Sequence, residues 1–394
     1  MANAIGKAAI ALAALVGVYG LILGALMTPR LQRFALYANK INTLFYHDIN
    51  NPEEFGFCEN QVQPFNISTP DREVLHAWHV LPIDVYTRHE KNLKLPPGDE
   101  DSATPLDLLI NDPQARVVVS YPILEVHGNA GHVAQGWRTD TIRQLTTLPH
   151  THVITVDYRG FGHSTGSPTE AGLITDGVAL VNWVLHVAYI PPEQIVLMGQ
   201  SLGTAVASAV GLEFLDPKNA LHPGRLGGAD EASLLASRDL IDRSTVFAGI
   251  VLVAPFANLP SLMLTYRMGG LIPLLLPLRP FPALAKMLTD NMVDKWPTED
   301  RLRAYYDALI SRPELLTAPE GYSMGSLQII HGFNDMDITY RQTEMICRNV
   351  LGEGEKCING SSGEAVYSVS GEGRPGLRFE IFGYGGRKTS FSAV

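Results

Sequence analysis

Short apolar runs broken by glycine- and proline-rich turns recur along most of this chain, and their spacing predicts strands alternating with helices. Residues 67–82 read as two strands, with Val74, Ala77 and Val80 among bulky neighbours and Trp78 at the centre. Residues 116–126, 153–156, 195–198, 248–254, 326–330 and 377–382 are further strand-like runs. Residues 171–187 carry apolar positions at helical spacing, and 203–210 are small and apolar enough for a helix packed on a strand. Strand, helix, strand in this order implies right-handed crossovers and a mostly parallel α/β sheet with helices on both faces. Residues 91–105, with Pro96-Pro97-Gly98-Asp99-Glu100-Asp101, read as a solvated loop, and 212–244 as a polar insertion.

Two stretches are too apolar for that rhythm. Residues 8–27 hold no charge, follow Lys7 and precede Arg30, Arg33 and Lys40. At about 1.5 Å per residue this length matches a hydrocarbon core of ~30 Å, so one amino-terminal transmembrane helix is expected. A cleaved signal peptide would have a shorter apolar region ending in small residues, which Gly24-Ala25-Leu26-Met27 fits poorly. Residues 259–296 are apolar too, but Pro273, Pro277, Pro280 and Pro282 forbid one straight span. Broken helices forming a lid over the sheet are expected there. An apolar lid suits long acyl substrates or contact with a bilayer, and ordinary core packing explains it equally well.

Composition narrows the class. With 46% apolar and 18% charged residues among 394, a large core is available. A formal charge of −10 argues against nucleic acid as a partner. Cys58, Cys347 and Cys357 have no metal-ligand spacing, and no metal or cofactor motif occurs. A Cys347–Cys357 bridge belongs to an oxidising compartment, and free buried thiols are the simpler expectation. The basic residues around 8–27 weakly favour a cytosolic body. The sequons Asn66-Ile67-Ser68 and Asn359-Gly360-Ser361 favour a lumenal one.

The chemistry centres on Gly199-Gln200-Ser201-Leu202-Gly203, a G-x-S-x-G between a strand and a helix. Such a turn lifts a serine hydroxyl clear of the sheet, which makes Ser201 the candidate nucleophile. The same turn aims the Leu202 backbone N–H at a developing oxyanion. The glycine-rich His127-Gly128-Asn129-Ala130-Gly131, following a strand, supplies the second oxyanion donor, most plausibly Asn129. His127 is read as a structural turn residue. After the strand at 326–330, the loop His331-Gly332-Phe333-Asn334-Asp335-Met336-Asp337 offers an acid in the right order, Asp335 first and Asp337 in reserve.

These motifs, with Leu75-His76-Ala77-Trp78-His79 and Asp157-Tyr158-Arg159-Gly160, resemble the alpha/beta-hydrolase superfamily over about residues 67–386. Within it they are similar to the membrane-anchored lysophospholipase and monoacylglycerol lipase group. The resemblance implies a Ser, Asp, His triad, carried onto Ser201 and Asp335. It places the histidine after the last strand, where this chain has Tyr384-Gly385-Gly386-Arg387-Lys388, and no histidine follows His331. Arginine stays protonated and cannot act as a general base. The expectation is an anchor and juxtamembrane segment at 1–45, a hydrolase domain at 60–386 with its lid at about 259–296, and an atypical tail at 387–394. The resemblance further implies a serine ester hydrolase of lipid-like acyl esters, membrane-bound in the endoplasmic reticulum with a lumenal body. The alternatives are an acyl-protein thioesterase and an inactive lipid-binding scaffold. As written, the chain is expected to turn over very weakly, and its ending from about Arg387 to lie outside the ancestral reading frame.

Overall fold

The computed structural model describes residues 2–39, 46–121, 131–136, 138–222, 244–268, 272–273, 275–278, 280–352, 357–358, 363–371 and 374–383. Its strands are β1 (Val62–Ser68), β2 (Val74–Val80), β3 (Arg116–Tyr121), β4 (Thr151–Val156), β5 (Ile195–Gln200), β6 (Gly249–Val253), a two-residue pair β7 (Arg267–Met268) and β8 (Ile272–Pro273), β9 (Ser326–Gly332), β10 (Ala365–Gly371) and β11 (Arg374–Phe382). Among the described residues, all but β7 and β8 form one nine-stranded sheet ordered β1-β2-β4-β3-β5-β6-β9-β11-β10. The six strands from β4 to β11 run parallel, while β1, β2 and β10 add antiparallel edges.

Alternation along each strand divides the core into two layers. Val117, Val119, Leu197, Leu252 and Ile329 face one cluster, where helices α6 (Glu170–His186) and α7 (Leu202–Leu215) pack. Val118, Met198, Val253 and Ile330 face the other, with Trp78 and residues of α5 (Arg138–Leu145). Every residue of α7 except Glu213 is buried, because its small side chains let it lie directly on the sheet.

Several boundaries differ from the sequence reading. The expected loop 91–105 is narrower: α3 (Ile83–Leu93) continues into it, and α4 (Pro105–Ile110) closes it with a Thr104–Asp107 capping box. The insertion expected from residue 212 starts later, since α7 runs to Leu215; residues 223–243 lie outside the described residues. Strand β10 was not anticipated. Its alternating half-buried and exposed residues mark an edge strand with little apolar signal.

The amino terminus is also different. Helix α1 (Ala2–Ala25) is followed by α2 (Pro29–Tyr37), and the pair is bent by 101°. Thr28 is extended and Pro29 opens α2, so the backbone hydrogen-bond ladder cannot run through. Among the described residues no single helix is long and apolar enough to cross a membrane, although this bent pair passes by length and composition. Beyond β6 the apolar stretch expected as a lid is broken, as its prolines require, into α8 (Leu259–Thr265) and α9 (Pro282–Asp290). It returns through a buried Trp296 to α10 (Thr298–Ser311).

The cysteine expectation is corrected. Cys347, in α11 (Arg341–Leu351), is disulfide-bonded to Cys357, with Cα atoms 5.9 Å apart. Gly352, at φ 86°, turns the chain back after α11 and brings the two cysteines within bonding reach. Cys58 is free and exposed.

Candidate active site

Strand β5 delivers Ser201 to the carboxyl edge of the parallel sheet in a conformation that only a tightly held residue keeps. Its φ is 51° and ψ −119°, outside the regions L-residues favour, at a cost of order 1–3 kcal/mol. Three contacts hold it. The Ser201 N–H donates to the Val253 carbonyl of β6 at 3.0 Å. The Ser201 carbonyl accepts from the Thr204 N–H at 3.0 Å and from Thr204 Oγ1 at 2.5 Å. A Cβ on Gly199 would overlap the Gly203 carbonyl oxygen, so the strand passes under the helix only as glycine. Ser201 is 5% exposed. Leu202 is the first residue of α7, where helical N–H groups lack internal partners.

The acid loop leaves the same edge. The Ala254 N–H donates to the Ile330 carbonyl of β9 at 2.8 Å, which ties the ends of β6 and β9 together. Asp335 and Ser201 therefore follow strands two positions apart, about 10 Å at the usual strand spacing. The loop is a tight turn: Asp335 Oδ1 accepts the N–H groups of Asp337 at 2.9 Å and Ile338 at 2.8 Å. Asp335 is buried and Asp337 half-buried. The Phe333 N–H donates to the Phe382 carbonyl at 2.7 Å, so the chain after β11 departs beside this loop.

Two histidines follow Ser201, and both have their rings engaged elsewhere. His331 is fully buried, with Nδ1 2.7 Å from Thr343 Oγ1 and Nε2 2.7 Å from the Ile338 carbonyl. It braces the acid loop. His222 lies beyond the far end of α7, with Nδ1 2.6 Å from Glu213 and Nε2 2.8 Å from the Asp216 carbonyl. His127, Asn129 and the turn with Arg387 lie outside the described residues.

The flank of the glycine-rich turn is described and well braced, which sequence reasoning missed. The Gly162 N–H donates to the Gly131 carbonyl at 3.0 Å, and the Val133 N–H to Asp157 Oδ1 at 2.6 Å. Arg138 Nη1 donates to the His132 carbonyl. Gly162, at φ 49°, abuts the Asp157 carboxylate so closely that no side chain fits. Arg159 spans Asp71 at 2.6 Å and Asp176 at 2.8 Å, locking the Asp157-Tyr158-Arg159-Gly160 loop to α6. Burial holds the His132 imidazolium down to a pKa of about 4, against a weaker upward pull from Asp157. The advance signal was the Asp157-Tyr158-Arg159-Gly160 motif, which marks the loop but not these contacts. Among the described residues no group of His, Cys, Asp and Glu is placed to hold a metal ion.

A family model described as the alpha/beta hydrolase family matches residues 126–349. Lysophosphatidylserine lipase ABHD12 of Danio rerio is 26% identical over 59% of this chain and 48% of its own length. Protein ABHD12B of Homo sapiens is 33% identical over 43% of this chain and 37% of its own. The chain thus spans about half the length, or less, of these curated relatives. Among solved structures, an alpha-beta hydrolase from Vibrio vulnificus matches with TM-score 0.49 and 13% identity, over 92% of this chain and 88% of that one. The Pyrococcus furiosus esterase Pf2001 matches at TM-score 0.45 and 13% identity, over 86% of each.

Proposed function

Since this chain belongs to the alpha/beta hydrolase family, we propose that it is a serine ester hydrolase acting on lipid-like acyl esters, of the monoacylglycerol or lysophospholipid kind. One observation carries the proposal: Ser201 is held at φ 51° on the strand-to-helix turn, at the sheet edge from which the Asp335 loop also leaves. Ser201 attacks the ester carbonyl, and the N–H groups of Leu202 and Asn129 stabilise the oxyanion. In a complete triad a histidine takes the Ser201 proton and Asp335 orients that histidine. The turn where the base belongs carries Arg387, which cannot accept a proton. Loss of a triad member costs on the order of 10⁴ to 10⁶ in turnover, so only residual hydrolysis is expected of the sequence as written. The lipid class rests on the similarity to lysophosphatidylserine lipases and on the apolar lid.

The test uses Arg387→His beside the unmodified chain. A fluorophosphonate probe should label Arg387→His faster, and adding Ser201→Ala or Asp335→Asn should remove the gain. Labelling that survives Ser201→Ala would overturn the assignment of the nucleophile.

We further propose that residues 1–45 anchor the hydrolase domain to a membrane with its body in an oxidising lumen. The Cys347–Cys357 bridge supports that side, since such bonds persist where thiols are not kept reduced. Asn66 and Ser68 of the first sequon are exposed on the edge strand β1, accessible to a glycan. The same bridge weighs against a thioesterase of cytosolic proteins. Glycosidase treatment should lower the apparent mass of the expressed chain, and Asn66→Gln should shrink that shift; a fully unglycosylated protein would contradict the lumenal orientation.

A further inference from the structure

A cavity of about 340 Å³ lies between the amino-terminal helix pair and the lid, two segments far apart in sequence. Its walls come from residues 22–38 on one side and 259–294 on the other. Leu23, Leu26, Leu36, Met263, Leu275 and Leu288 are among its lining, and the polar groups Gln32, Arg33, Thr289 and Asp294 are few. The volume falls at the lower end of the ~300–1,000 Å³ typical of small-ligand pockets. The walls are pinned in place. Gln32 Nε2 donates to the Asn291 carbonyl at 3.0 Å, and the Val293 N–H donates to Gln32 Oε1 at 3.0 Å. Asp294 accepts from Arg33 Nε at 3.1 Å and from the Tyr37 hydroxyl at 2.9 Å. Leu23 packs with Leu275, Leu278 and Leu288 in an apolar cluster of its own.

We infer that this cavity is the acyl-chain subsite of the hydrolase proposed above, taking one long hydrocarbon chain of the substrate lipid with the amino-terminal helices as half of its wall. Three observations choose that occupant. The lining is hydrocarbon, with so few polar groups that a polar ligand would lose its hydration without replacement. The cavity is continuous with a lipid-compatible surface, because Ile22 lines it while Leu15, Val16, Val18 and Leu21 of the same helix are exposed. Its lid-side wall also begins close in the chain to the nucleophile's edge of the sheet: the Val253 carbonyl holds the Ser201 N–H, and the lining residue Leu259 follows Val253 by six positions, at most about 22 Å of extended chain. That limit is of the same order as an acyl chain, about 15 Å for half of a ~30 Å hydrocarbon core, together with its ester and head group.

The inference rests on the hydrolase reading for its substrate, so its test begins with binding, which needs no turnover. The full chain in detergent is titrated with a dansyl-labelled long-chain fatty acid. Met263→Trp and Leu36→Trp, which fill the cavity, should each weaken binding at least tenfold, while Leu264→Trp, on the exposed side of α8, should not. Unaltered binding in both filling variants, with melting temperatures like that of the parent, overturns the subsite. Should those variants fail to fold, photo-crosslinking of the unaltered chain with a diazirine fatty acid decides: labelled peptides within 22–38 and 259–294 support the subsite, and labels elsewhere overturn it. A second arm separates substrate from resident lipid, using Arg387→His as the parent enzyme. Met263→Trp should lower the ratio of long-chain to butyrate ester hydrolysis severalfold; an unmoved ratio with weakened binding means the cavity holds a bystander lipid and overturns the subsite. If binding and crosslinking behave as expected but Ser201 never reacts with the fluorophosphonate, it is the hydrolase reading that fails.

Discussion

The turn that presents Ser201 and the cavity beside the lid are held by opposite means. The turn is fixed by backbone: a strained serine, a glycine under a helix and a hydrogen bond to the neighbouring strand, most of it within five residues. The cavity is fixed by side chains from segments roughly 260 residues apart, such as Gln32 with Val293 and Arg33 with Asp294. Backbone contacts leave little freedom, which suits chemistry that needs a reactive atom placed to a fraction of an ångström. Side-chain contacts between separate elements can shift or part, which suits the admission of a bulky, variable lipid.

The sharpest way to break this contrast is Gly199→Ala. The added methyl meets the Gly203 carbonyl, which belongs to backbone and cannot rotate away. A loss of roughly 3 kcal/mol or more is expected, with loss of fluorophosphonate labelling in the Arg387→His background. A stable, labelled variant would mean that the turn is not held as described.

Acid should probe the sheet-edge side of the contrast, through the buried His132 beside the glycine-rich turn. His132 titrates at about 4 when folded and near 6.5 when unfolded, so between these values the unfolded chain binds the extra proton. Stability is therefore intact above pH 6.5 and falls as the pH drops toward 4, by up to about 3 kcal/mol from this group. Denaturant unfolding followed from neutral pH down to about 4.5 measures the slope, and His132→Gln should flatten it.

The smallest effect belongs to the lid clamp. Asp294→Asn removes the carboxylate that Arg33 and Tyr37 share, yet Arg33 is about a third exposed and water covers part of the loss. A drop of about 1–2 kcal/mol is expected, read as a lower melting temperature with faster proteolysis within 259–296. A drop as large as that of Gly199→Ala would erase the distinction between the two regions.

The legible parts of this protein were those whose signal is local. The runs at 195–198 and 248–254 became β5 and β6 because a strand buried on both faces must be apolar throughout. Gly199-Gln200-Ser201-Leu202-Gly203 was readable because a strand-to-helix turn with a close helix tolerates few residues at its ends. The strand β10 was not readable, since an edge strand hydrogen-bonded on one side places few demands on its side chains. The brace formed by Asp157, Gly162 and Val133 was missed for a similar reason, as its partners meet only once the loops are folded.

The sequence by itself determined the alternation of strand and helix, the parallel sheet and the glycine-bounded turn that carries Ser201. Each follows from short-range sterics or from the period of burial, which the order of residues carries directly. Only the tertiary structure decided that the amino-terminal apolar stretch bends at Pro29 and packs on the lid, that Cys347 meets Cys357, and that His331 is spent on Thr343 and Ile338. Those outcomes depend on which distant segments become neighbours, and a contact between residues 33 and 294 leaves no local trace in either one.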